Sequence, residues 1–199
     1  SGLSVVDENT FTVKLVSPQS DFEQRLGYSA FVPMPESAFQ DMKAFGENPV
    51  GYGPYKMAKE GAWQHNSSID LVKNDDYDGP EKAKNGGITF KLYQNPDTAY
   101  QDLISNNLDV LQQIPTGSLA NYKSDLGDRH SDKPYAGIQT ISVPEYLKNF
   151  QGEAGKLRRQ ALSKAIDRDE VTDVIFEGTR TPATDFTAPT VDGYKDDLE

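Results

Sequence analysis

The chain has 199 residues, 20 of them basic and 31 acidic, for a formal net charge of −11. A surface of this sign repels phosphate backbones and anionic lipid headgroups, which argues against nucleic acid as a partner and against polybasic membrane docking. Cysteine is absent, which removes a disulfide framework, a thiolate metal site and a cysteine nucleophile together.

Hydrophobic residues make up 36% of the sequence and the mean hydropathy is −0.67, so a lean core is expected for this length. Order is still expected, because Tyr, Phe, Ile, Leu and Val recur in periodic blocks. No run approaches the ~20 apolar residues of a spanning helix. No basic-then-apolar leader opens the sequence. The first residues read directly as strand, as expected of a chain that starts inside a longer protein. Ser1 and Leu198-Glu199 read equally as native ends or as residues added for expression.

In chain order, residues 3 to 16 predict a β-hairpin. Val5 and Val6 precede the turn-forming Asp7-Glu8-Asn9, and Phe11, Val13 and Leu15 then alternate with Thr12 and Lys14. Pro35 suits the first turn of a short helix with the stripe Ala38, Phe39, Met42 and Phe45, and Gly46 suits its C-terminal cap. Residues 48 to 54, NPVGYGP, interrupt regular structure and mark a first boundary. A second hairpin is expected from Tyr55–Lys59 and Ile69–Lys73, and a strand over Ile88–Tyr93. A helix then starts at Asn95-Pro96-Asp97, with Ala99, Tyr100, Leu103 and Ile104 on one face. Asn106-Asn107 can end it in a left-handed turn, and Leu108–Gln112 reads as a short strand, giving a βαβ unit. A short helix over 118–126 and a strand over Gly137–Val143 follow. Two helices come last: one with the stripe Leu157, Ala161, Leu162, Ala165 and Ile166, and one opened by the capping box Asp167/Glu170, with the stripe Val171, Val174 and Ile175, and closed by Gly178.

Chemistry is harder to find. His65 falls in a predicted turn with no carboxylate nearby in sequence, and His130 lies between Asp128 and Asp132. An Asp-x-His-x-Asp stretch in a polar loop reads as a solvated turn, so neither a metal nor a cofactor is expected. The serines lack a nucleophile-elbow setting, and the Asp75-Asp76-Tyr77-Asp78 cluster has no flanking apolar burial to raise a carboxyl pKa. Gly51-x-Gly53 and Gly86-Gly87 lack the spacing and following helix of a phosphate cradle. No active site emerges, which favours binding over catalysis. Tyr52, Tyr55, Trp63, Tyr146 and Phe150 sit at breaks between elements, where core packing and a cleft role are both open.

Several blocks together resemble one family. ENPVGYGPYK at 47–56, Lys73-Asn74-Asp75-Asp76-Tyr77-Asp78-Gly79, and Asn106-Asn107-Leu108-Asp109-Val110 are similar to segments of the family 5 solute-binding proteins, the dipeptide- and oligopeptide-binding type. Tyr146-Leu147 followed by Leu157-Arg158-Arg159-Gln160-Ala161-Leu162-Ser163-Lys164-Ala165-Ile166-Asp167-Arg168 resembles the family's Tyr-Leu…Val-Arg-Gln-Ala-Leu-x-x-Ala-Ile-Asp-Arg. Val6-Asp7 with Thr10-Phe11-Thr12-Val13, and Thr181-Pro182-Ala183-Thr184 with Gly193-Tyr194, match the flanking segments. In one departure, Gln151-Gly152-Glu153-Ala154-Gly155 stands where the family has Pro-Pro-Phe-Asp-Asp, which implies a looser loop after Phe150.

The resemblance implies a mixed α/β (α+β) fold, part of a two-lobe periplasmic-binding-protein-like architecture of type II, cluster C, truncated at both ends. It implies that residues 1–47 end a small accessory domain, 48–144 form part of the first lobe, and 145–199 begin the second, with a hinge crossing near Val143–Asn149. The implied function is the substrate-binding component of an ABC importer. It would capture peptides outside the cytoplasmic membrane, as a lipoprotein or in the periplasm, and hand them to the permease. Glu145, Tyr146 and Asn149 are the implied cleft residues, with Tyr52 a further one. Glu145 would meet a peptide amino group or basic side chain, Tyr146 would stack, and Asn149 would pair with main chain. The same carrier role for a nickel chelate, haem or an oligosaccharide, a sensing domain of a regulator, and an extracellular hydrolase are the rival readings.

Overall fold

The computed structural model describes residues 2–197; Ser1, Leu198 and Glu199 lie outside the described residues. The chain forms two compact units, Ser1–Leu92 and Tyr93–Glu199.

In the first unit, β1 (Leu3–Asp7) and β2 (Thr10–Val13) make the expected antiparallel hairpin. The turn is set locally, since the Asn9 amide donates to Asp7 Oδ1 at 2.9 Å. Leu3 lies opposite Val13 and Val5 opposite Phe11, so the alternation puts apolar pairs on one face. That face is formed but uncovered: Val5 and Phe11 are both exposed. Two short helices follow, α1 (Phe22–Arg25) and α2 (Met42–Glu47). Pro35 precedes a separate 3-10 turn over Glu36–Phe39, and α2 starts afresh at Asp41, whose carboxylate accepts from the Lys43 and Ala44 amides. The single helix expected over this stretch is therefore two pieces.

The sheet of this unit is entirely antiparallel. It comprises β3 (Tyr55–Met57), β4 (Trp63–Gln64), β5 (Ser68–Lys73) and β6 (Gly87–Lys91). β5 is central: β3 and β4 pair with its successive halves and β6 runs along its length. Against β5, Gly87 comes so close that an added Cβ would lie 2.3 Å from the Leu71 carbonyl oxygen, which explains a small residue at the start of β6.

In the second unit, α3 (Pro96–Ile104) opens as its sequence predicts. Asn95 accepts from the Asp97 amide at 2.8 Å and Pro96 stands at the first helical position. Asn106 adopts φ +60 beyond its end. Tyr100 and Leu103 pack with Tyr122 and Leu126 of α4 (Tyr122–Leu126) into the core cluster, and Ile104, Leu108, Leu111 and Ile114 close around it.

Two expected strands are absent. Leu108, Leu111 and Ile114 recur every third residue, so the chain wraps the core instead of alternating faces, and Leu108–Gln112 forms no strand. Gly137–Val143 has strand composition but no ladder partner among the described residues. Without a strand at Leu108–Gln112 the expected βαβ unit does not form, while the mixed helix-and-sheet character holds.

The last helices are α5 (Gly152–Ala165) and α6 (Arg168–Glu170), the latter running into a π-helical turn over Val171–Ile175. Asp167 caps α6 by accepting from the Glu170 amide at 3.0 Å, as its capping box predicts. α5 starts earlier than expected. Instead of a loose loop after Phe150, Gly152–Gly155 forms its first turn, with Gly152 at φ +62. Leu157, Leu162, Val174 and Ile175 of the predicted stripes stay exposed. Among the described residues no helix is long and apolar enough to cross a membrane.

The core phenols are tied to carboxylates. Tyr100 Oη donates to Asp125 Oδ2 at 2.8 Å, and Tyr122 Oη donates to Asp132 Oδ2 at 2.8 Å. Burial, helped by its hydrogen bond to the neighbouring carboxylate, pushes the Tyr100 phenol up to about 12. In the unfolded chain the phenol ionises near its ordinary value of about 10. Its contribution to stability is thus complete below that pH and declines as pH rises toward the folded value. Urea midpoints measured across the alkaline range should fall more steeply for the wild type than for Tyr100→Phe; parallel curves would show that Tyr100 does not carry the effect.

Gly155 offers a second test. A Cβ there would lie 2.0 Å from the Phe150 carbonyl carbon, so Gly155→Ala should destabilise by about 1–3 kcal/mol through forced backbone movement. Gly46 of α2 has nothing within 4 Å of its virtual Cβ, and Gly46→Ala should be neutral or gain up to about 1 kcal/mol. Chemical unfolding of the two variants in parallel checks both signs.

Candidate functional site

The site is built on the stretch from Pro144 to Gln151. Pro144 favours an extended conformation at Val143. The chain then folds back on itself: the Leu147 amide donates to the Pro144 carbonyl at 3.3 Å, and the Phe150 amide to the Leu147 carbonyl at 2.7 Å. Lys148–Phe150 is a 3-10 turn. Two successive tight turns point Tyr146 outward, with 79% of its surface exposed.

Turns of this kind leave carbonyls that no ladder satisfies. Here the side chain of Gln151, which precedes α5, and two arginines of the helix take them. Gln151 Nε2 donates to the Tyr146 carbonyl at 2.8 Å, and Arg158 Nη1 donates to the Asn149 carbonyl at 2.7 Å. Arg159 Nη1 donates to the Phe150 carbonyl, and its Nη2 donates to Glu145 Oε1 at 2.5 Å. Helical side chains lean toward the N-terminus, so arginines in the second turn of α5 reach back over the segment before it. Gly155 completes the seat: it is buried, its amide donates to the Gln151 carbonyl at 3.0 Å, and only the missing side chain lets Phe150 lie so close.

The predicted residues fall as follows. Glu145, Tyr146 and Asn149 share this one segment. Glu145 is ion-paired to Arg159 yet its side chain remains 77% exposed, against 24% for Arg159. Tyr52 belongs to the first unit, exposed in the loop between α2 and β3. That loop is fastened by Asn74, whose side chain donates to the Gly53 carbonyl at 3.0 Å and whose amide donates to the Pro54 carbonyl at 2.9 Å.

Both histidines gain partners. His65 lies 2.7 Å from Glu47, a carboxylate far away in sequence, and its ring stacks on Trp63 with centroids 4.3 Å apart. His130 hydrogen-bonds through Nδ1 to the Gly127 carbonyl and meets the Tyr122 ring edge-on. Among the described residues no group of three or more His, Cys, Asp or Glu side chains converges as a metal site.

Sequence reasoning missed Gln151, Arg158, Arg159 and Gly155 as the groups that hold the segment. One signal was present: a glycine in the interior of a helix costs about 0.5–1 kcal/mol relative to alanine, so its presence points to a close backbone approach. The arginines carry no such mark, because their targets are main-chain atoms.

Comparison with known proteins gives this geometry a frame. The sequence is 30% identical to the oligopeptide-binding protein OppA of Bacillus subtilis over 209 residues, covering 99% of this chain and 36% of that protein. It is 25% identical to the dipeptide-binding protein of Escherichia coli, covering 100% of this chain and 37% of the relative. The chain thus spans about a third of the length of these curated relatives. Among solved structures, the periplasmic binding protein DppA of Helicobacter pylori in complex with the peptide STSA shares the fold, with a TM-score of 0.79 at 22% identity, covering 99% of this chain and 38% of that one. The description of the bacterial extracellular solute-binding proteins, family 5 middle region, matches residues 1–199, and the chain belongs to that family.

Proposed function

We propose that the protein carrying this chain is the substrate-binding component of an ABC importer for peptides, acting outside the cytoplasmic membrane and catalysing nothing itself. The observation that carries the reading is the match, along nearly the whole of this chain, to relatives named for oligopeptide and dipeptide binding. The form of the Glu145–Asn149 segment supports it. An extended peptide is held mainly through its main chain, with side chains received loosely. A segment whose own carbonyls are already taken by Gln151, Arg158 and Arg159 is stiff, and it displays an aromatic ring. A rigid tyrosine supplies contact area at low entropic cost.

On this reading Tyr146 stacks against the ligand, Asn149 pairs with ligand main chain, and Glu145 is the charged group of the segment. Tyr52 is a further contact from the 48–54 loop. Residues 1–47 end an accessory domain, 48–144 belong to the first lobe and 145–199 to the second. The crossing near Val143–Asn149 serves as hinge, and an ABC permease receives the loaded carrier. As an exported carrier the protein resides in the periplasm or is anchored as a lipoprotein.

A thermal-shift screen of the full-length protein against di- to pentapeptides, nickel chelates, haem and oligosaccharides tests this. Peptides alone should raise the midpoint, and the rise should grow with concentration, reaching about 2.7 kcal/mol of stabilisation at a hundredfold excess over Kd. Tyr146→Ala should weaken peptide binding about tenfold, as expected for an aromatic contact, and leave the unliganded midpoint unchanged. A response confined to another ligand class would replace the peptide, and no response to any class would sink the carrier reading.

A further inference from the structure

We propose that Arg159 is a specificity-determining positioning residue. It fixes Glu145 against the start of α5 and offsets its charge, so that the segment meets a ligand through Tyr146 and not through a free carboxylate. The inference rests on the peptide-carrier reading above and assigns a selectivity role within the same segment.

The geometry is specific to arginine. A guanidinium is a planar fork that can serve two acceptors at once. One arm of Arg159 is tied to the Phe150 carbonyl and the other to Glu145 Oε1. Because the first acceptor is main chain, seated at Gly155, the guanidinium cannot follow Glu145 if the carboxylate turns toward solvent. The carboxylate is therefore held in place from behind. The difference in side-chain exposure, 77% for Glu145 and 24% for Arg159, sets the order of the charges: carboxylate outward, guanidinium beneath. A cationic group approaching Glu145 meets a carboxylate whose charge is already compensated, while a neutral group loses nothing.

Arg158 supplies a contrast built into the same helix. It fastens the Asn149 carbonyl at 2.7 Å and forms no ion pair with Glu145. Losing it loosens the turn without freeing the carboxylate. A purely structural role for Arg159 would make the two arginines equivalent in their effect on selectivity.

The test measures affinities of the full-length protein by calorimetry for two tripeptides, trialanine and its analogue with a central lysine. The readout is the ratio of the two affinities. Arg159→Gln should shift the ratio toward the lysine peptide by about threefold or more, the scale of an exposed ion pair. Glu145→Gln should move it the opposite way, and Arg158→Gln should lower both affinities together with the ratio unchanged. An unaltered ratio in Arg159→Gln, or a shift in the same direction as Glu145→Gln, overturns the proposal. Should Arg159→Gln fail to fold, Glu145→Gln decides: an unchanged ratio there means that the carboxylate does not face the ligand, and the proposal fails. A wild type that binds neither peptide removes the peptide reading on which the proposal rests, a result distinct from normal binding with an unmoved ratio.

Discussion

The approach of Gly155 to Phe150 is the contact on which the exposed Glu145–Asn149 segment of the second unit depends. With no side chain at Gly155, the backbone at the end of the 3-10 turn lies against the first turn of α5. That proximity puts the Phe150 carbonyl within reach of Arg159 and the Asn149 carbonyl within reach of Arg158. A larger residue would push the turn away and lengthen these bonds together. One backbone contact thereby fixes several side-chain bonds, and those bonds fix where Glu145 and Tyr146 stand. Hydrogen bonds to charged donors are worth about 1.5–3 kcal/mol when sheltered, less at the surface, so holding the segment needs their combined action.

The rest of that unit is organised by phenols. Tyr100 and Tyr122 are the two aromatic members of the core cluster, and each carries its hydroxyl to a carboxylate, Asp125 and Asp132. An amphipathic aromatic solves a problem set by the composition: a chain with 36% hydrophobic residues must build a core from side chains whose outer ends meet water. Where no such device exists, apolar surface stays exposed, as on the β1–β2 hairpin and along α5. The Trp63 indole N–H is the converse case, a polar atom buried without a partner among the described residues, while its ring is covered by His65.

Electrostatics work at short range here despite the net charge of −11. The ion pairs are mostly exposed, such as Lys56 with Asp76 at 3.2 Å and Arg25 with Asp21 at 2.9 Å, and each adds little to stability. Arg159 differs from Lys56 and Arg25 because its side chain is only 24% exposed and is bound to main chain as well. Position relative to solvent, and not the number of charges, separates a pair that holds the chain in place from a solvated one.

What the sequence by itself determined is local. Asn95 and Asp167 cap helices where they were expected to, the Asp7–Asn9 turn closes its hairpin, and Asn106 and Gly178 take left-handed conformations after helices. Each depends on atoms within a few residues, so the residue types sufficed. The ordered blocks of residues likewise marked the family. Tertiary structure decided everything that requires a distant partner. Gly137–Val143 has the composition of a strand, but a strand exists only with a ladder beside it. His65 lacked a carboxylate until the fold delivered Glu47. The segment of Glu145, Tyr146 and Asn149 was legible as a candidate, yet its geometry was not, because main-chain acceptors leave no pattern in residue type and Gly155 marks a close approach without telling what approaches.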